Sequence, residues 1–277
     1  MTSFSTDVAK IIAEYLARYE LRSWVKIDKL EWNWLSCNPL AMDLLRANPN
    51  HINWVFLSGC PHAIDMLLEN PDKIRWDELS GNPAAIDLLR ANPDRIDWKK
   101  LSRNHAAIDL LRANPDKIDW FWLSENEGAA DLLAENIDKI DWKQASGNPA
   151  ALPILRANPD KIKWRQLSRQ SFAIDLLLAN QDKIRWKIFS TNPAAIPFLM
   201  ANPDRIKWDW LSGNPAADDL LRANPDKIYW TMRLGRTNDP NLLAQNVDKI
   251  DWFNISGSPV IFEPRSDPLL VAILLEI

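Results

Sequence analysis

Tryptophan stands at positions 32, 54, 76, 98, 120, 142, 164, 186, 208, 230 and 252, every 22 residues without a slip. So short a fixed period rules out folding around one central core, because each unit is too small to bury its apolar face except against its neighbours. The 277 residues therefore count layers rather than domains. From one tryptophan to the next the unit reads W-x-x-L-S-x-N-P-A-A-I-D-L-L-R-A-N-P-D-K-I-D. The asparagine sixteen residues after tryptophan is present in all ten intervals, from Asn48 and Asn70 to Asn224 and Asn246.

The stretch "NPAAIDLLRAN" predicts a helix of about ten residues. Asn82 caps it, Pro83 suits its first position, and Ala85, Ile86, Leu88 and Leu89 form an apolar stripe. It ends at Asn92, a residue type that tolerates the left-handed conformation, and Asn92-Pro93-Asp94 makes a corner. A shorter helix carries "WKKLS", with Trp98 and Leu101 on one face; Ile96 falls on the wrong side for a continuous helix, which predicts a kink or 3-10 turn before it. Glycine occupies the column after the serine at Gly59, Gly81, Gly147, Gly213, Gly235 and Gly257, where it would end the short helix. The expected fold is an all-α solenoid of about ten 22-residue repeats, each a longer helix plus a short helix or 3-10 turn. At roughly 8 to 10 Å per layer it would form a rod or superhelix about 80 to 100 Å long. The periodic tryptophan would fill the space between layers, contributing at most about 5 kcal/mol each.

A finite stack needs covered ends. Residues 1–31 read as an N-terminal capping helix with Val8, Ile11, Ile12, Tyr15 and Leu16 at helical spacing. Residues 32–251 form the array, and 252–277 a partial repeat and C-terminal cap. The apolar run from Pro268 to Ile277 is too short to cross a bilayer and reads as a packing or self-association segment. After Trp230 the unit loses its leucine and serine, and "TMRLGRTNDPNLL" predicts an irregular first half.

The run "LSGNPAAIDLLRANPDKIDW", together with the ending "SPVIFEPRSD", resembles the 22-residue Trp/Asn-Pro repeats found in proteins of large DNA viruses of algae and amoebae. What the resemblance implies is a viral or virus-derived array, placed in host cytoplasm or a virion. The alternation of long and short helices with an Asn-Pro corner is also similar to leucine-rich variant repeats, with a shorter period and tryptophan in place of valine.

Chemistry finds little footing in the sequence. There is no phosphate-binding glycine loop, no H-E-x-x-H and no G-x-S-x-G, so no enzyme and no cofactor are expected. His51, His62 and His105 occupy three different columns, and no metal site is expected from them. Cys37 and Cys60 read as small packing residues at a corner, because a helix-packing layer step exceeds a disulfide's reach. With no secretory signal they suggest a reducing, cytoplasmic compartment. A net charge of −4 argues against general binding to nucleic acid or anionic membrane.

Recognition belongs to the columns that vary. Immediately before the tryptophan stand Asp97, Asp119 and Asp141, then Lys163, Arg185 and Lys207; Arg165 and Lys187, just after it, extend the basic run. Two residues after the tryptophan the chain places Trp34, Phe56, Glu78, Lys100, Trp122, Gln144, Gln166, Ile188 and Trp210, a mixture no dry core accepts. Trp34, Phe56, Trp122 and Trp210 are therefore expected partner-binding anchors, with Lys163, Arg165, Arg185, Lys187 and Lys207 as a polar rim. Trp34, Trp122 and Trp210 lie four units apart and would align if the stack turned a quarter turn per unit. The function expected is a non-enzymatic scaffold mediating protein–protein interaction. A structural spacer or virion component joined through its ends, and a modular nucleic-acid binder, are the alternatives.

Overall fold

A computed structural model of the chain describes residues 19–234, 237 and 239–264. Each regular layer repeats four pieces, shown by the one that begins at Trp76: α-helix Trp76–Ser80, 3-10 turn Pro83–Ala85, α-helix Ile86–Ala91 and 3-10 turn Pro93–Arg95. The ten-residue helix of the sequence reading is thus a 3-10 turn followed by six α-helical residues. Asn82 accepts the Ala84 N–H at 3.0 Å and tightens that first turn. Asn92 ends the helix without left-handed geometry: its φ is −135° and its Nδ2 donates to the Leu88 carbonyl at 2.9 Å. No described residue has positive φ, glycine included. The glycine column is accordingly not a conformational requirement, and it also holds Cys37, Arg103 and Glu125.

The side chains sealed from solvent are the leucine three after the tryptophan (Leu79, Leu101, Leu123) and the leucine thirteen after it on the longer helix (Leu67, Leu89, Leu111). Every periodic tryptophan is only half-buried, which corrects the expectation of an interlayer filler. In several layers the indole closes the layer margin beneath a basic residue nineteen positions on. Lys139 lies 4.7 Å from the Trp120 centroid, Lys227 4.6 Å from Trp208 and Arg205 5.0 Å from Trp186. His51 stacks on Trp32 at 4.5 Å in the same role.

Serine and asparagine join the layers. Ser80 Oγ donates to the Trp76 carbonyl at 2.8 Å and accepts the Asp97 N–H of the next layer at 2.9 Å. Asn104 Nδ2 donates back to the carbonyls of Ser80 at 3.1 Å and Asn82 at 3.0 Å. Both side chains are buried and satisfied, so the corner holds polar groups without a desolvation penalty. These bonds draw the short helices and Asn-Pro turns of successive layers closer than the longer helices outside them, so each layer is a wedge.

Eleven wedges close. Glu31 N–H donates to Ser256 Oγ at 2.9 Å, and Asn38 Nδ2 donates to the carbonyls of Ser256 at 3.4 Å and Ser258 at 3.1 Å, repeating at the chain's two ends the bonds of the regular internal interfaces. Strand β1 (Tyr19–Leu21) pairs antiparallel with β2 (Phe262–Pro264), Leu21 opposite Phe262, and Arg22 donates from Nε to the Val260 carbonyl at 3.0 Å. One core cluster runs from Ile255, Ile261 and Phe262 directly into Leu30 and Leu35. The solenoid is therefore a closed ring of about 33° per layer rather than an open rod or superhelix, and its eleventh layer is composite. The C-terminal segment supplies the tryptophan helix Trp252–Ile255 and the turn Pro259–Ile261; the N-terminal segment supplies a strand and the 3-10 turn Ile27–Lys29. Among the described residues, the parts of the two expected caps at 19–31 and 252–264 cover each other. The helix expected around Val8–Leu16 and the segment from Pro268 lie outside the described residues.

Two further exceptions are informative. Cys37 and Cys60 form a disulfide, with Cα atoms 5.5 Å apart, because the corner is tighter than a helix-packing step. The reading of these two as unbonded packing residues is corrected. In the irregular layer, Arg233 replaces the core leucine and is buried against Asp218, which replaces the isoleucine of the previous layer; their nitrogen and oxygen lie 2.7 Å apart. No helix of the described residues is long and apolar enough to cross a membrane.

Candidate functional site: three sectors of the concave face

The short helix points its fourth residue into the core, so the first and second residues after the tryptophan turn away from it, onto the inner side of the ring. The first is exposed and the second mostly half-buried, as at Lys99 and Lys100 or Arg165 and Gln166. This inner surface divides into three sectors by chemistry.

At the seam the surface is aromatic. Trp34, 40% exposed, sits 5.5 Å from the Phe56 ring and 5.7 Å from Phe253 across the closure. Both expected anchors of this sector, Trp34 and Phe56, are therefore in one cluster.

The next sector neutralises itself. Lys100 Nζ reaches Glu78 at 2.7 Å and Asp77 at 3.3 Å, and Arg103 pairs with Glu125. Partial burial pushes the Asp77 carboxyl up, but the hydrogen bond and charge of Lys100 outweigh it and hold the group below its ordinary value. Burial likewise pulls the Lys100 ammonium down, while hydrogen bonds to Glu78 and Asp77 leave it above its ordinary value. Trp122 lies beneath Lys99 and Arg103, each 5.7 Å from its centroid. A recess of about 560 Å³ opens among Lys99, Arg103, His105 and Trp122.

The third sector is basic. Arg165, Arg185, Lys187 and Lys207 line a groove of about 620 Å³ with Ile184, Ile188, Trp186 and Trp210. It continues through Arg165 and Ile188 into a second recess of about 480 Å³ that adds Lys143, Lys163 and Arg169. None of these seven cations has an ion-pair partner among the described residues, whereas Lys73, Lys161, Lys183, Arg205 and Arg222 each pair with an aspartate. All five basic residues singled out in the sequence, Lys163, Arg165, Arg185, Lys187 and Lys207, converge here together with Trp210.

The column before the tryptophan is also the N-cap of the short helix. Asp97 accepts the Lys100 N–H at 3.0 Å, Asp119 the Trp122 N–H at 3.2 Å, and Asp141 those of Lys143 and Gln144 at 3.0 and 2.9 Å. Lys163, Arg185 and Lys207 occupy the same position and cap nothing. Three consecutive layers thus forgo a contribution of about 1 kcal/mol each, with no compensating contact to the substituted side chain. Glu31 and Arg75 also leave their short helices uncapped, so what sets these three apart is that they are cations on consecutive layers.

Trp34, Trp122 and Trp210 do not align. Closure separates them by four, four and three layers around the ring, because a layer turns about 33° and not a quarter turn. Lys143, Arg169, Ile184 and Ile188 were missed by the sequence reading. Arg169 shares its column with Arg103 and Glu125, whose charges pair across one layer step, and that column carried the signal. No group of three metal-ligating side chains occurs among the described residues.

Fold and surface together define a class: a closed-ring α-helical repeat protein with a chemically sectored inner face. No protein-family model, curated protein or solved structure matches this chain.

Proposed function

We propose that the protein is a non-enzymatic ring scaffold that holds a partner protein on its concave face. The observation that carries this reading is the run of three N-cap positions, Lys163, Arg185 and Lys207, given over to unpaired cations beside Trp210. Desolvated aromatic anchors ringed by polar groups are the usual source of binding energy at protein interfaces, and Trp34, Trp122 and Trp210 supply one such ring to each sector. The alternative, a spacer or virion component joined through its ends, rests on the segment from Pro268 to Ile277, which lies outside the described residues. Modular nucleic-acid binding is opposed by a basic surface confined to one arc.

Affinity capture with wild-type protein and the double variant Trp122→Ala, Trp210→Ala tests the reading. The variant should keep wild-type circular dichroism and lose partner capture at least tenfold. Equal capture by both proteins defeats it.

A further inference from the structure

We infer that the groove across the layers of Trp142 to Trp208 binds an extended acidic peptide segment bearing an apolar side chain, an inference that rests on the scaffold reading above. Its cations form two rows with one member per layer. Lys163, Arg185 and Lys207 precede the tryptophans, and Lys143, Arg165 and Lys187 follow them. Alternate residues of an extended chain lie about 6.6 Å apart. Arg165, Arg185, Lys187 and Lys207, from three successive layers, line one groove of about 620 Å³, so a single extended segment can reach cations of consecutive layers. Carboxylates at every second position can therefore meet successive layers.

The intervening side chain meets an apolar floor. Ile188 is only 8% exposed and, with Ile184 and the Trp210 indole, forms a hydrophobic seat between the two rows. Charge also fixes the length. The tryptophan-preceding column is acidic at Asp119 and Asp141, and Asp209 follows Trp208, so a uniformly charged polyanion gains nothing beyond three or four layers. That limit favours a short acidic peptide block over a nucleic-acid strand, whose affinity grows with each phosphate neutralised.

The test uses the full chain and fluorescence anisotropy with three labelled probes of about ten units: alternating glutamate and leucine, alternating glutamate and glycine, and oligouridylate. The glutamate–leucine probe should bind, weaken at least tenfold in Arg185→Glu, Lys207→Glu and at high salt, and weaken severalfold in Trp210→Ala. The glycine probe should bind more weakly than the leucine probe. Tighter binding of oligouridylate than of either peptide assigns the groove to nucleic acid and overturns the inference. So does indifference to the double charge reversal, or no binding of any probe. Thermal melts of both variants establish that the fold persists. If partner capture still depends on Trp122 while the acidic probe is ignored, this inference fails alone; if both are lost, the scaffold reading fails with it.

Discussion

Glu31 donates its backbone N–H to the hydroxyl of Ser256 at 2.9 Å, across 225 residues of sequence. Asn53 makes the same bond to Ser36, Arg75 to Ser58 and Asp97 to Ser80, each across seventeen residues. The seam is thus one more copy of the internal interface, and closure follows from wedge angle multiplied by layer number. Among the described residues, the short β1–β2 ladder stands where the other layers place their longer helix.

Closure has a measurable dimension. An open stack of eleven layers would extend about 90 to 110 Å at ordinary helix packing distances. Small-angle scattering of the wild type should give a maximum dimension well below that. Ser256→Ala, combined with Asn38→Ala, should cost about 2 to 4 kcal/mol in denaturant unfolding by removing buried hydrogen bonds at the seam. A rod-like scattering profile for the wild type would contradict the ring.

The buried pair predicts strong coupling. Arg233 is 8% exposed and its partner Asp218 37%. Asp218→Ile restores the repeat's residue but strands a buried guanidinium, at a cost of about 3 to 5 kcal/mol. Arg233→Leu leaves a carboxylate whose Oδ1 is buried but whose side chain is 37% exposed, and should cost less, about 1 to 3 kcal/mol. The double variant should match or exceed the wild type in urea unfolding, giving a non-additive cycle. Additive losses would mean the two residues act independently.

The Lys100 cluster predicts a pH signature. Asp77 lies below its ordinary value of 3.8, so its contribution is present above that pH and lost as pH falls through the depressed folded value. Lys100 lies above 10.5, so its contribution is present below that pH and lost as pH rises through the raised folded value. Asp77 and Lys100 are 48% and 36% exposed, which keeps the effect to about 0.5 kcal/mol. The stability difference between wild type and Lys100→Met should be flat across neutral pH and vanish on acidification below the depressed Asp77 value. A difference that persists unchanged there would assign it to packing.

The period, the Asn82-type cap and the 3-10 turn at Pro93–Arg95 were legible because each is a local rule repeated in most layers. Closure was not legible, since it depends on a wedge angle set by how closely Ser80 and Asn104 draw two layers together, and no residue type states that distance. The Cys37–Cys60 bond was misread for the same reason: a helix-packing step was assumed where the corner is tighter. The tryptophans were misread through their invariance, which suggested the centre of the core although they lie at its margin under Lys139 or Arg205. The basic groove was legible in its two charged rows, but its isoleucine floor was not, because Ile184 belongs to a column that elsewhere serves only packing.

The three consecutive layers with a cation at the N-cap predict a trade between stability and binding. Restoring aspartate with Lys163→Asp, Arg185→Asp or Lys207→Asp returns to the short helix the bond that Asp97 and Asp141 make in their own layers. Each substitution should stabilise the ring by about 0.5 to 2 kcal/mol, because an N-cap acceptor satisfies an orphan backbone donor. Relief of mutual repulsion among the unpaired cations acts in the same direction. The triple variant should therefore melt several degrees higher while losing affinity for whatever the groove holds. A melting temperature that falls would mean that the cations stabilise the ring through contacts absent from this structure. A rise in stability together with loss of partner binding is the pattern expected where residues are kept for recognition at the expense of the fold.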